Sequence, residues 1–157
     1  MRLAYRLRRD YMQKRMPQTS ISLLYALREA ADACDERMTP ICAMAGLTLA
    51  QFNLLYLVVE EKRTRLGELA ENSRCVKSNV TYLVRSMEAD GLLEVSADPD
   101  DRRVRHVRAT PKGTKALRAA LRSAAQLEKA LRTGLGEKAI DDAAERLMAI
   151  AHRLDSL

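Results

Sequence analysis

A mainly α-helical fold, six helices with one two-stranded β-hairpin, is what this sequence predicts, and three observations predict it. Apolar residues recur at helical spacing through most of the chain. Aromatic residues make up only 4% with no Trp, so the core is aliphatic. One stretch, residues 92–109, reads as two strands around a Pro-Asp turn.

The bulk numbers set the frame. At 157 residues the chain fits one domain, or one domain with helical extensions. Apolar residues reach 47%, enough for a core. A net charge of +6 and a pI near 9.5 favour a polyanionic partner, although charge alone does not separate DNA from RNA or an anionic membrane. No apolar run approaches the roughly 18 residues of a membrane span, so no membrane partner is expected. The basic N-terminus lacks the apolar run of about 7–15 residues that a secretory signal needs. Cys34, Cys42 and Cys75 stand at irregular spacing, form no disulfide framework and suit a reducing cytoplasm.

Taken in order, residues 1–18 form a basic arm with Arg2, Arg6, Arg8, Arg9, Lys14 and Arg15 against the single acid Asp10. Residues 19–46 read as an N-terminal dimerisation helix. Its apolar stripe, Leu24, Leu27, Ala31, Cys34, Met38, Ile41 and Ala45, steps by threes and fours like a coiled-coil seam. Thr39-Pro40 interrupts that stripe as a kink or as the cap of a short second piece. Thr48-Leu49-Ala50-Gln51 is a capping box, and the helix behind it is apolar nearly all round, as a central buried helix must be. Thr64 is then expected to cap a third helix whose inner face is Leu66, Leu69 and Ala70.

A turn containing Cys75 leads to a fourth helix, Val76 to Asp90, stopped by Gly91. Val80, Leu83, Val84 and Met87 make its buried face. Ser78, Tyr82, Arg85 and Ala89 lie opposite, flanked by Asn79 and Thr81. Apart from Arg85 that face is small or neutral and rich in hydrogen-bonding groups, which do not prop a helix away from the base edges of a groove, and two short helices joined this way are a helix-turn-helix. The hairpin follows as Leu92 to Ser96, then the turn from Ala97 to Asp101, then Arg102 to Ala109, which carries four arginines among eight residues. It reads as a wing, so residues 47–110 form a winged helix-turn-helix lobe.

Thr110 as N-cap and Pro111 at the first helical position open a fifth helix with Leu117, Leu121, Ala124, Leu127 or Glu128, and Leu131 in line. Gly134 and Gly136 break it, and a sixth helix carries Ile140, Ala144, Leu147, Ala151 and Leu154. These narrow stripes make residues 111–157 C-terminal dimerisation helices, pairing with the N-terminal one in a two-fold homodimer. No catalysis is expected, because the two histidines, His106 and His152, have no nucleophile or carboxylate at motif spacing. Neither a phosphate-cradling Gly loop nor zinc-ligand spacing occurs, so no cofactor or metal is expected.

Four pieces in order carry a resemblance. They are Gly46 to Phe52, Leu66 to Ala70, Ser78 through Leu92, and Asp98-Pro99-Asp100-Asp101-Arg102-Arg103 through Thr110-Pro111-Lys112-Gly113. In these the chain resembles the multiple-antibiotic-resistance regulator (MarR) family. The resemblance implies a triangular homodimer of winged helix-turn-helix lobes that represses transcription from a pseudo-palindromic double-stranded DNA operator. It implies that Ser78, Asn79, Thr81, Tyr82 and Arg85 face the major groove. It also implies that Asp101 orients Arg103, which enters the minor groove. Lys77, Arg102 and Arg105 complete the candidate DNA-contacting set. Val76, Tyr82 and Val95 depart from the family pattern.

Release by a small ligand is the implied switch, with Tyr25, Arg28, Phe52 and Tyr56 as pocket candidates for an aromatic or amphipathic effector. Thiol oxidation through Cys34 or Cys42 is the alternative, and a non-specific architectural nucleic-acid protein is the competing class. A regulator of this kind is expected in the cytoplasm.

Overall fold

The computed structural model describes residues 22–61, 64–72, 77–101 and 103–157, with the side chains of Ser22, Asn72 and Lys77 outside that description. The basic arm, Cys75, Val76 and Arg102 also lie outside it. The chain divides into two compact units, residues 1–38 and 39–157.

Helix α1 spans Ser22–Met44, and its residues up to Met38 belong to the first unit. Pro40 sits inside it, so the helix neither ends nor restarts at Thr39-Pro40. A proline ring forfeits one backbone bond, and the helix continues past that loss. Within the first unit Leu23, Leu24 and Tyr25 are all exposed.

The second unit is built around α2, Leu49–Glu60. Its capping box is formed as expected. The Gln51 amide donates to Thr48 Oγ1 at 3.1 Å, and the Thr48 amide donates to Gln51 Oε1 at 2.8 Å. Phe52, Leu54, Leu55 and Val58 are buried, but Tyr56 faces outward, so burial is not complete round the helix. Helix α2 packs on the strand and the long helix that follow the wing.

Thr64 corrects the expectation of a helix cap. Thr64–Arg65 is a two-residue strand, β1, with Thr64 fully buried and its hydroxyl donating to Glu61 Oε2 at 3.0 Å. The hairpin strands are β2, Leu93–Ala97, and β3, Arg105–Ala109. β1 pairs antiparallel with β3, giving a three-stranded sheet in the order β1-β3-β2 rather than the two-stranded wing expected. Leu93 and Val107 enter the core from the inner face. Register Glu94↔Arg108 and Ser96↔His106 puts these four side chains on the other face.

Helix α3, Leu66–Asn72, and helix α4, Lys77–Ala89, pack against each other, and Leu69, Val80, Val84 and Met87 are their buried side chains. Gly91 follows α4 at φ +69°, a left-handed turn that favours glycine. Helix α5, Pro111–Leu135, starts at the Thr110 cap, where the Gly113 amide donates to Thr110 Oγ1 at 3.0 Å. A Cβ on Gly113 would run into the Leu92 carbonyl oxygen, so only glycine lets α5 lie this close to the start of β2. Gly134 stays helical and Gly136, at φ +91°, makes the break. Helix α6, Glu137–Asp155, is tied back by Arg132, which donates to Glu128, Glu137 and Asp141.

Candidate nucleic-acid interface

The outer face of α4 follows directly from its inner one. Burying Val80, Val84 and Met87 on one side obliges Ser78, Tyr82, Arg85 and Ala89 to point away. Tyr82 is 76% exposed, a high value for an aromatic ring in a folded lobe. Asn79 is exposed on the flank and Thr81 is half-buried. Among the described residues no carboxylate lies within ion-pair distance of Arg85, so its charge is available to an outside anion. The Lys77 side chain lies outside the described residues.

The wing turn is held by its own aspartates. Asp98 Oδ1 accepts from the Asp100 and Asp101 amides at 3.0 and 3.3 Å. Asp98 Oδ2 accepts from His106 Nε2 at 2.6 Å, anchoring the turn to β3. The hydrogen bond from His106, reinforced by the two amides, lowers the Asp98 carboxyl to about 2. Asp101 Oδ1 accepts from the backbone amide of Arg103 at 2.9 Å, and the Val104 amide donates to the Asp101 carbonyl, also at 2.9 Å.

Asp101 therefore orients Arg103 through its backbone amide and not through its guanidinium. The side chain is left exposed at the tip, with Arg105 exposed at the start of β3. Arg102 lies outside the described residues. Arg108 departs from the pattern of free arginines, because its guanidinium is bonded to Glu94 across the sheet. Asp98 and His106 are the pair that the sequence reading missed as a unit. The available signal was an Asp at the first turn position followed eight residues later by a His on the returning strand.

The other candidates fall in two units. Tyr25 and Arg28 lie in the first unit, where Arg28 pairs with Asp32 at 3.1 Å. Phe52 and Tyr56 lie in the second, Phe52 at 9% exposure as a core side chain and Tyr56 at 44%. Cys34 is exposed. Cys42 has no exposure and burial pushes its thiol up, the wrong direction for a reactive thiolate, so the redox expectation narrows to Cys34. Among the described residues no cluster of His, Cys, Asp or Glu could hold a metal ion, and no single helix is long and apolar enough to cross a membrane.

Comparison with known proteins points the same way. Residues 47–104 match the family model described as the MarR family. The chain is 23% identical over 122 residues to the HTH-type transcriptional repressor IacR of Pseudomonas putida, covering 78% of this chain and 73% of that protein. Among solved structures it is similar to NadR in complex with 4-hydroxyphenylacetate. That match has a TM-score of 0.73 at 22% identity, covering 87% of this chain and 98% of NadR. It is also similar to a mutant MarR from E. coli complexed with operator DNA. There the TM-score is 0.76 at 18% identity, covering 83% of this chain and 94% of the other. At these identities the structural likeness is one of fold.

Proposed function

We propose, on the match of residues 47–104 to the MarR family model, that the chain is a homodimeric, sequence-specific, double-stranded-DNA-binding transcriptional regulator of the cytoplasm, a repressor released by a small ligand. The observation that carries this reading is the outward stripe Ser78, Tyr82 and Arg85 on a helix whose opposite side buries Val80, Val84 and Met87 and half-buries Leu83, with the exposed Arg103 on the adjoining wing. A helix fits the major groove and an arginine fits a narrow minor groove. The repressor sense is supported by IacR, which is named as one.

Dimerisation is supported by apolar side chains left uncovered in the single chain. Leu121, Leu131 and Leu135 on α5 and Leu147, Met148 and Leu154 on α6 are all exposed. Leucines repeating along two helices are costly to leave in water, and a two-fold partner covers them at a gain of about 25 cal/mol per Å². The small-ligand switch is supported by the likeness to NadR solved with 4-hydroxyphenylacetate. An aromatic or amphipathic effector is the class proposed, with Tyr25, Arg28, Phe52 and Tyr56 as the residues to test.

The experiment is selection of a binding site from a random duplex pool, followed by titration of that site and a scrambled duplex at several salt concentrations. A regulator shows a symmetric site and a preference over the scrambled duplex of at least about a thousandfold. Equal affinity for both duplexes, falling steeply with salt, would mean an architectural protein instead. Peroxide treatment of wild type and Cys34→Ser separates the switches, since an oxidant response lost in the variant would favour thiol control.

A further inference from the structure

Between Asp101 and Glu128 the sequence contains eight cationic residues and no acid. Surface helices usually intersperse the two signs, because like charges four apart repel by a few tenths of a kcal/mol. On α5, Arg118 and Arg122 are such a pair, with Lys115 three residues before Arg118 and seven before Arg122. The three share one exposed face, opposite the buried Gly113, Leu117 and Ala120. Among the described residues no carboxylate comes within ion-pair distance of any of the three.

That face is one wall of a cleft of about 720 Å³. The opposite wall is the outer face of the sheet at Glu94 and Arg108, and Thr110, Pro111 and Thr114 line the end between them. Glu94 is already bonded to Arg108, so it neutralises that arginine and leaves the three α5 cations uncompensated. The remaining cation of the first turn, Lys112, is used elsewhere and donates to the Asp90 carbonyl at 2.6 Å.

We propose that this cleft binds a small polyanion, an organic molecule with two or more phosphate or carboxylate groups. The volume lies within the roughly 300–1,000 Å³ of small-molecule sites. Lys115 to Arg122 spans about 10 Å of helix, too far for one anionic group to serve all three cations. The two guanidinium forks match planar or tetrahedral oxyanions with paired hydrogen bonds, while the lysine adds a point charge. The cleft is open toward solvent with the wing strands along one side, so the Arg85/Arg103 variant below separates a compact ligand from a DNA backbone. None of the residues lining the cleft is among the candidate DNA contacts, and its existence does not depend on the regulatory reading above.

Calorimetric titration of the full chain with inorganic tripolyphosphate, and separately with citrate, at matched ionic strength tests the proposal. Three proteins are compared: wild type, Arg118→Gln/Arg122→Gln, and Arg85→Gln/Arg103→Gln. The expected result is one saturable site per chain for at least one probe. Binding weakens by about tenfold or more in the Arg118/Arg122 variant, as loss of charge-assisted bonds requires, and is unchanged in the Arg85/Arg103 variant. All four substituted side chains are exposed, and equal melting temperatures confirm intact folds. If the Arg118/Arg122 variant melts early, Lys115→Gln replaces it with the same expectation in direction. Absence of saturable binding by both probes in wild type would overturn the proposal. So would binding that disappears with Arg85 and Arg103 but survives loss of Arg118 and Arg122, because the probes would then be mimicking DNA.

Discussion

His106 Nε2 and Asp98 Oδ2 meet at 2.6 Å across the base of the wing, joining the first residue of the turn to the strand that returns from it. Asp98 uses its other oxygen for two turn amides, so one carboxylate organises both the loop and its attachment.

This pair sets an acid limit. The Asp98 carboxyl falls from an ordinary 3.8 to about 2 in the folded chain, chiefly through the hydrogen bond from His106. A depressed carboxyl pKa contributes stability that is full above the unfolded value and is lost as pH falls through the folded one. Asp98→Asn should therefore melt earlier than wild type at neutral pH. The gap should close between about pH 4 and about pH 2. Thermal unfolding followed by circular dichroism across that range is the measurement, and a gap independent of pH would contradict the pairing.

Arg103→Ala should cost about 1–3 kcal/mol of operator affinity and leave the melting temperature unchanged, because the side chain is exposed at the tip. Asp101→Ala should weaken binding by less, since it frees the Arg103 backbone but keeps the charge. Arg85→Ala should lower discrimination against a scrambled duplex. Fluorescence titration of the three on both duplexes distinguishes these patterns. Wild-type affinity for Arg103→Ala would remove the wing from DNA contact.

Gly113→Ala should destabilise the lobe by about 1–3 kcal/mol, the usual cost of forcing atoms into a packed contact. The added methyl meets the Leu92 carbonyl and also crowds Leu55. Alanine is the better helix former, so a variant as stable as wild type in urea would show that this approach is not tight.

Removal of residues 137–157 should abolish the dimer, since it deletes the Leu147, Met148 and Leu154 surface of α6 and uncovers the end of α5. Sedimentation velocity reads the outcome directly. A truncated chain that remained a soluble dimer would place the interface elsewhere.

Much of this arrangement was legible where a local rule has one outcome. The Thr48/Gln51 box, the Thr110 cap and the buried stripe of α4 depend on spacings of three and four residues, and the structure has each of them. The strand at Thr64–Arg65 was not legible, because two residues carry no periodicity and their pairing with Val107 and His106 is decided some forty residues away. The returning wing strand spans Arg105–Ala109, because Asp101 takes the Arg103 amide on its carboxylate and the Val104 amide on its carbonyl. Cys42 looked equivalent to Cys34 along the helix, and only the packing of the second unit separates a covered thiol from an open one.

The glycine contact between α5 and the start of β2 has a mechanical consequence. Thr110 donates from its amide to the Leu92 carbonyl and from its hydroxyl to the Gly91 carbonyl, beside the place where Gly113 touches the same strand. The end of α4, the root of the wing and the root of α5 are thus clamped at one fulcrum. Helix α5 runs 25 residues from that point, a lever of about 37 Å. A tilt of about 5° at the fulcrum displaces its far end by about 3 Å, and a shift imposed at the far end returns as rotation of α4 and the wing together. Under the proposed function, α4 and the wing would turn as one piece, so a small change at a dimer contact would be geared into a change of pitch against the duplex.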